Sequence, residues 1–217
     1  MASPAEVSSF NGQIPSFGRG PARLSDGGLS GAGSIHYGAM AVWLLERTSR
    51  DENTTRRIGA ALGRWLQPGD IVAVQGPLGA GKTRLIQGIA EGLGVAEPVQ
   101  SPSFVLIQAY SLPGGGKFYH VDLYRLDNAE TVWAIGLWDL FDETAIIAME
   151  WPERAAGLIP EPYLRVTMIP LDDTIRRIRI EAVGDFPVER LEALQAMMDS
   201  ERYGSESHDP DHFPWGL

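Results

Sequence analysis

Between about residues 39 and 182, short apolar runs alternate with stretches whose apolar residues recur at helical spacing. The run at 41–45 is expected as a strand. Behind it Ile58, Ala61, Leu62, Trp65 and Leu66 recur at i, i+3, i+4, i+7 and i+8, one face of a helix. Ser49 with Glu52 three residues later reads as a capping box at the start of that helix. Pro68, Gly69 and Asp70 turn the chain into a strand at 71–74. A glycine-rich loop and a helix over about 82–91 follow, the helix stopped by Gly92 and Gly94. Strand-like runs at 104–112 and 118–126 flank a proline–glycine loop and predict a hairpin. A helix is expected at 130–137, a buried strand at 145–149, and a closing hairpin from 163–169 and 174–180. Strands alternating with helices, then hairpins, predict an α/β fold of three layers with a mixed β-sheet and added hairpins.

The ends read differently. Residues 1–38 contain eight Gly, seven Ser and three Pro, with large apolar residues scattered without period, and are expected as a flexible leader. The structured domain is expected over 39–182. Residues 183–217 are expected as an acidic tail, with a short helix through Val188, Leu191, Leu194 and Met198.

Composition narrows the function classes. With 44% hydrophobic residues in 217, a packed core is within reach, and no run approaches the ~18 apolar residues of a membrane span. There is no cysteine, which excludes disulfides, thiolate catalysis and cysteine-ligated metal and agrees with a cytoplasmic setting. The net charge of −10 argues against a protein that grips nucleic acid by its overall charge. Most of that charge sits at one end: residues 181–217 carry nine acidic and two basic groups, against 17 and 14 in 39–180.

Residues 76–83 carry the strongest chemical signal. Gly76, Pro77, Leu78, Gly79, Ala80, Gly81, Lys82 and Thr83 complete the phosphate-loop pattern G-x-x-x-x-G-K-S/T between an expected strand and an expected helix. Glycines let successive backbone N–H groups curl around a phosphate, and the helix start adds the positive end of its dipole. Lys82 would reach the β- and γ-phosphates of ATP, and the Thr83 hydroxyl would ligate Mg²⁺. The fold expected is therefore P-loop NTPase-like. Lysine is rare here, Lys82 and Lys117 alone against sixteen arginines.

Three polar groups could complete such a site. Glu150 ends the apolar run 145–149 where a metal-binding acid normally lies, with Glu in place of the commoner Asp. Strand alternation puts His120, Asp122 and Tyr124 on one face and Arg125 on the other; the row could hold a water or simply be a solvated hairpin face. Ser101 and Ser103 flank Pro102 in a stiff turn where a γ-phosphate sensor could sit, or a plain hydroxyl turn. No arginine is placed as a finger, since Arg125 faces away and Arg84 lies in the helix. Slow hydrolysis driving an assembly cycle, a small-molecule kinase and a nucleotide-gated scaffold all remain open, although no Arg-rich, glycine-hinged lid of the kinase kind appears between 85 and 182.

Taken in order, G-P-L-G-A-G-K-T at 76–83, S-P-S-F at 101–104, H-V-D-L-Y-R-L at 120–126 and M-E-W-P-E at 149–153 resemble the bacterial tRNA threonylcarbamoyladenosine biosynthesis ATPase family, TsaE, also called YjeE. Asp51 and Glu52 fit the same pattern. The resemblance implies a small Mg²⁺-dependent ATPase that works with two partner proteins, of TsaB and TsaD type, to install threonylcarbamoyl on adenosine 37 of ANN-decoding tRNAs, with tRNA reached through the complex. By that resemblance Thr83 and Glu150 are the metal ligands and Asp122 is linked to hydrolysis. Adenine-side contacts would come from around Glu52 and from Arg176 or Arg177. Ser103 departs from the family's usual Thr; its hydroxyl survives, but the methyl that restricts the rotamer is lost.

Overall fold

The computed structural model describes residues 35–37, 40–127 and 129–203. The leader expected over 1–38, save a short strand at its end, and the last part of the expected tail lie outside the described residues. Ile35–Tyr37 (β1) pairs antiparallel with Met40–Val42 (β2) as a separate two-stranded sheet. The run expected as one strand at 41–45 is divided at Trp43, and Leu44–Ser49 (β3) belongs to the main sheet.

The main elements then follow in chain order: Glu52–Trp65 (α1), Ile71–Gln75 (β4), Lys82–Gly92 (α2), Ile107–Ser111 (β5), Lys117–Asp122 (β6), Ala129–Ala134 (α3), Ala145–Glu150 (β7), Tyr163–Pro170 (β8), Arg176–Val183 (β9) and Val188–Tyr203 (α4). The seven strands lie in the order β3-β9-β8-β4-β7-β6-β5. β8, β4, β7 and β6 run parallel, and antiparallel partners close the sheet at each side. The mixed sheet expected from the sequence is thus present.

The apolar runs at 71–74 and 145–149 are continuous because parallel central strands are covered on both faces. Val72, Val74, Ile146 and Ala148 pack toward α1, α2 and α4. Ile71, Ile147 and Met149 pack toward α3 and the turns after it. That makes three layers. The Gly-stopped end of α2 is a Schellman motif: Gly94, at φ +79°, donates to Glu91 O, and Val95 donates to Ala90 O, both at 3.0 Å.

Local corrections have physical causes. The N-cap of α1 is Asp51, whose carboxylate accepts from Thr54 N at 2.6 Å, so the expected capping box is absent. Ser49 instead bonds Asp51 O and the Thr55 hydroxyl. The Thr54 N–H holds the Asp51 carboxyl below its ordinary value of 3.8. The cap is therefore at full strength above that value and is lost as pH falls through the lower folded pKa. Asp51→Ala should cost about 1 kcal/mol near neutrality, read by urea unfolding, with the deficit shrinking in strong acid. The strand expected from 104 starts only at Ile107. Val105 and Leu106 both donate to Pro102 O, and Leu106 stands at φ +65°, which folds 102–106 into a turn.

Residues 188–203, expected within an acidic tail as a short helix, form sixteen residues of α4 built into the core. Leu191 is buried, and Leu194 and Met198 join the core cluster of Leu45, Leu62 and Trp65. Trp65 Nε1 donates to Arg190 O at 2.7 Å, Arg190 grips both Asp70 oxygens at 3.2 and 2.7 Å, and buried Arg47 reaches Asp199 at 2.5 Å. Removing α4 would strip one end of that core. Leu194→Ala, at a fully buried position, is expected to destabilise by about 2–5 kcal/mol in urea titration. Among the described residues no helix is long and apolar enough to cross a membrane.

Candidate functional site

Three strands deliver polar residues to one edge of the sheet. In register, Val74 of β4 lies beside Glu150 of β7, and Glu150 lies beside Asp122 of β6. The chain leaves β4 at Gln75, winds through residues 76–81 and enters α2 at Lys82. The loop needs glycine for two reasons. Gly76, at φ +149°, leaves no room for a Cβ, which would meet Met168 O at 2.6 Å; Gly81 caps α2 in the left-handed region at φ +94°.

Inside the loop the Lys82 ammonium donates to Gly76 O at 2.8 Å and Pro77 O at 2.9 Å and lies 3.8 Å from the centre of the Trp151 ring. Burial pulls the Lys82 pKa below the usual lysine value, while the carboxylates of Glu150, Glu153 and Asp122 oppose that shift. Trp151 holds the left-handed conformation at φ +60°, where the chain turns sharply out of β7.

The polar groups beside the loop form a connected set. The Thr83 hydroxyl donates to Glu150 Oε1 at 2.8 Å, and His120 Nε2 approaches the same oxygen at 3.0 Å. Asp122 accepts on Oδ2 from Ser103 at 2.7 Å and Ser101 at 3.2 Å, and on Oδ1 from Tyr124 N at 3.0 Å. The row expected on β6 is therefore half right. His120 and Asp122 share a face within the strand, but β6 ends at Asp122, and Tyr124 comes back to the site from the following turn, its ring 4.9 Å from Trp151.

A cleft of about 400 Å³ lies over these groups, inside the usual range for small-molecule sites. Of the candidate residues, Leu78, Gly79, Gly81, Lys82 and Thr83 line it from the loop and α2. Ser103, Asp122 and Glu150 line it from the sheet edge, and Glu52 and Arg176 from the far wall. Gly76 lies behind, beside Gln75 and Thr167, and Ala80 is fully buried. Arg177 is not part of the wall. Arg176 is tied down by bonds to Ala80 O at 3.0 Å and Thr174 O at 2.6 Å, so it braces the loop. Three wall residues escaped the sequence reading: Trp151, Arg84 and Thr55, whose hydroxyl is held by Ser49 and the Asp51 carbonyl. Trp151 entered only as a letter of the motif at 149–153, with no role, and Arg84, set aside as helical, lines the cleft paired with Glu52.

Hard oxygen donors at a helix start suit Mg²⁺. Among the described residues no cluster of three or more His, Cys, Asp or Glu could hold a metal by itself. A hydroxyl and one carboxylate fit the phosphate-loop arrangement, in which phosphate oxygens and water supply the remaining positions.

A glycine loop joining a parallel central strand to a helix, with an acid at the end of the neighbouring strand, defines a P-loop NTPase-like α/β protein. The chain belongs to the TsaE family: the family described as threonylcarbamoyl adenosine biosynthesis protein TsaE matches residues 49–178. A tRNA threonylcarbamoyladenosine biosynthesis protein TsaE from Treponema pallidum is 38% identical over 132 residues, 61% of this chain and 96% of that protein. The protein of the same name from Bacillus subtilis is 33% identical over 139 residues, 64% of this chain and 85% of its own. The crystal structure of YdiB from Bacillus subtilis superposes with a TM-score of 0.60 at 28% identity, covering 75% of this chain and 99% of that one.

Proposed function

We propose that this protein is the ATP-binding and ATP-hydrolysing component of the machinery that forms N6-threonylcarbamoyladenosine at position 37 of ANN-decoding tRNAs. It would drive a cycle of two partner proteins of TsaB and TsaD type in the cytoplasm, with tRNA contacted through the complex. One observation carries this reading: in a TsaE-family chain, Lys82, the Thr83–Glu150 pair and Asp122 line a single cleft.

The residues divide the work as follows. The N–H groups of residues 76–83 and the start of α2 bind the phosphates, and Lys82 supplies the positive point charge inside the loop. Thr83 and Glu150 would hold Mg²⁺, which when bound would offset charge on the phosphate oxygens. Asp122, backed by Ser101 and Ser103, orients the attacking water. Glu52, Arg84 and Arg176 form the wall on the base side.

Among the described residues, the three arginines that line or flank the cleft are already engaged. Arg84 pairs with Glu52, Arg176 with two carbonyls, and Arg125 stacks 4.4 Å from the Phe104 ring. None of these three stands as a finger, so hydrolysis by the isolated protein should be slow and should rise with the partners, by ~10³-fold if one supplies an arginine. ATP turnover by the purified chain, alone and with the two partners and tRNA, tests this, together with a count of threonylcarbamoyl groups per complex. Turnover by the chain alone at the ~1–100 s⁻¹ of a kinase would overturn the reading.

A further inference from the structure

His120 is fully buried and both of its ring nitrogens are engaged. Nδ1 lies 3.1 Å from Gln100 O. A carbonyl only accepts, so Nδ1 carries the donated proton. Nε2 lies 3.0 Å from Glu150 Oε1, the oxygen that also accepts from Thr83, and because a carboxylate likewise only accepts, Nε2 is the donor in this contact too.

We infer that His120 is a positioning residue: it fixes the Glu150 carboxylate beside Thr83 and ties it to the segment carrying Ser101 and Ser103. The inference rests on the nucleotide and Mg²⁺ reading above. Two features make a brace necessary. Glu stands where a shorter Asp is commoner, and its extra methylene adds rotamer freedom that must be frozen out for the oxygen to stay in place. Gln100 immediately precedes Ser101, whose hydroxyl, with that of Ser103, bonds Asp122. One imidazole therefore spans the carboxylate on β7 and the loop that contacts the carboxylate on β6. Residues that orient metal ligands in this way are commonly worth 10–100-fold in metal affinity.

Two isosteric half-replacements separate this role from simple core filling. Gln places an amide N–H near the Nε2 position and keeps the bond to Glu150. Asn places one near Nδ1 and keeps only the bond to Gln100. Binding of a fluorescent N-methylanthraniloyl-ADP would be followed as Mg²⁺ is titrated, with melting temperatures recorded alongside. His120→Asn should raise the Mg²⁺ concentration for half-saturation about tenfold or more, while His120→Gln stays within about threefold of wild type. Equal Mg²⁺ dependence in both variants, whether shifted or not, would overturn the inference, because core filling does not distinguish the two nitrogens.

Should either variant fail to fold, imidazole ¹⁵N spectra of the wild-type protein supply the answer. Adding Mg²⁺ to the ADP-bound protein should move the His120 signal, and a signal that stays put would sink the idea. If wild type binds no nucleotide at all, the functional reading has failed at an earlier point, and the two failures remain distinct.

Discussion

Asp122→Asn is expected to lower ATP turnover by about 10²–10³-fold while nucleotide affinity changes by less than about threefold. The carboxylate is almost wholly buried, at 3% exposure, yet lines the cleft. Asn has nearly the same volume and keeps a carbonyl oxygen for the Tyr124 N–H, so the turn after β6 should hold. The substitution removes the negative charge and puts an NH₂ where the Ser101 and Ser103 hydroxyls now donate. In the proposed function the loop and Lys82 bind the phosphates and this carboxylate does not, which is why binding should survive. Single-turnover hydrolysis and equilibrium binding on the same preparation check the split. The partner cycle supplies a second readout: an ATPase-driven cycle should stop after one round, whereas a nucleotide-gated scaffold would go on modifying tRNA with Asp122→Asn. Loss of affinity equal to the loss of rate would instead point to a damaged loop.

What the sequence revealed follows from how local each determinant is. The phosphate loop is legible because its chemistry is contiguous: conformationally permissive glycines, one lysine and one hydroxyl within eight positions. The central strands are legible because burial on both faces leaves unbroken apolar runs. Glu150 was placed because it ends an apolar run, and Asp122 because alternation put it on one face with His120; the end of β6 at Asp122, which brings the two carboxylates together at one edge of the parallel strands, was not expected. Where a residue's role comes from a distant partner, the sequence is silent. Trp151 matters through Lys82, 69 positions earlier, and Arg84 through Glu52 across two elements. The helix α4 was underestimated because its three buried residues sit among charges and because Arg190 and Asp199, read as part of an acidic tail, are partners of Asp70 and Arg47. The strand misread from 104 has another cause. Phe104 and Val105 look like strand residues, but Pro102 and the hydroxyls around it drive a turn that leaves Phe104 85% exposed.

Gly88→Ala is expected to damage the fold more than any change in the cleft, and for a reason written in two distant pentapeptides. Gly59 and Gly63 lie four apart on α1, and Gly88 and Gly92 lie four apart on α2, so each pair falls on one helix face. The faces meet so closely that a Cβ added at Gly88 would stand 2.1 Å from Arg56 O, and one at Gly63 would stand 2.1 Å from Ile89 O. Those obstacles are backbone, so no rotamer change relieves them, and the helices must separate. Their spacing in turn sets how Leu62, Leu85, Ile86 and Ile89 meet in the core beneath. Overpacking of this kind typically costs 1–3 kcal/mol and occasionally more. With no flexible neighbour to yield, the upper end applies, which corresponds to a fall in melting temperature of roughly 6–12 °C. Because α2 begins at Lys82, its displacement should also weaken nucleotide binding, although Gly88 does not line the cleft. Gly79→Ala supplies the contrast. That residue is in the left-handed region at φ +79° with nothing within 4 Å of an added Cβ, so the penalty is the conformational ~1–2 kcal/mol alone. If calorimetry gives Gly88→Ala a melting temperature equal to or above that of Gly79→Ala, the close contact between α1 and α2 is not what holds these helices in place.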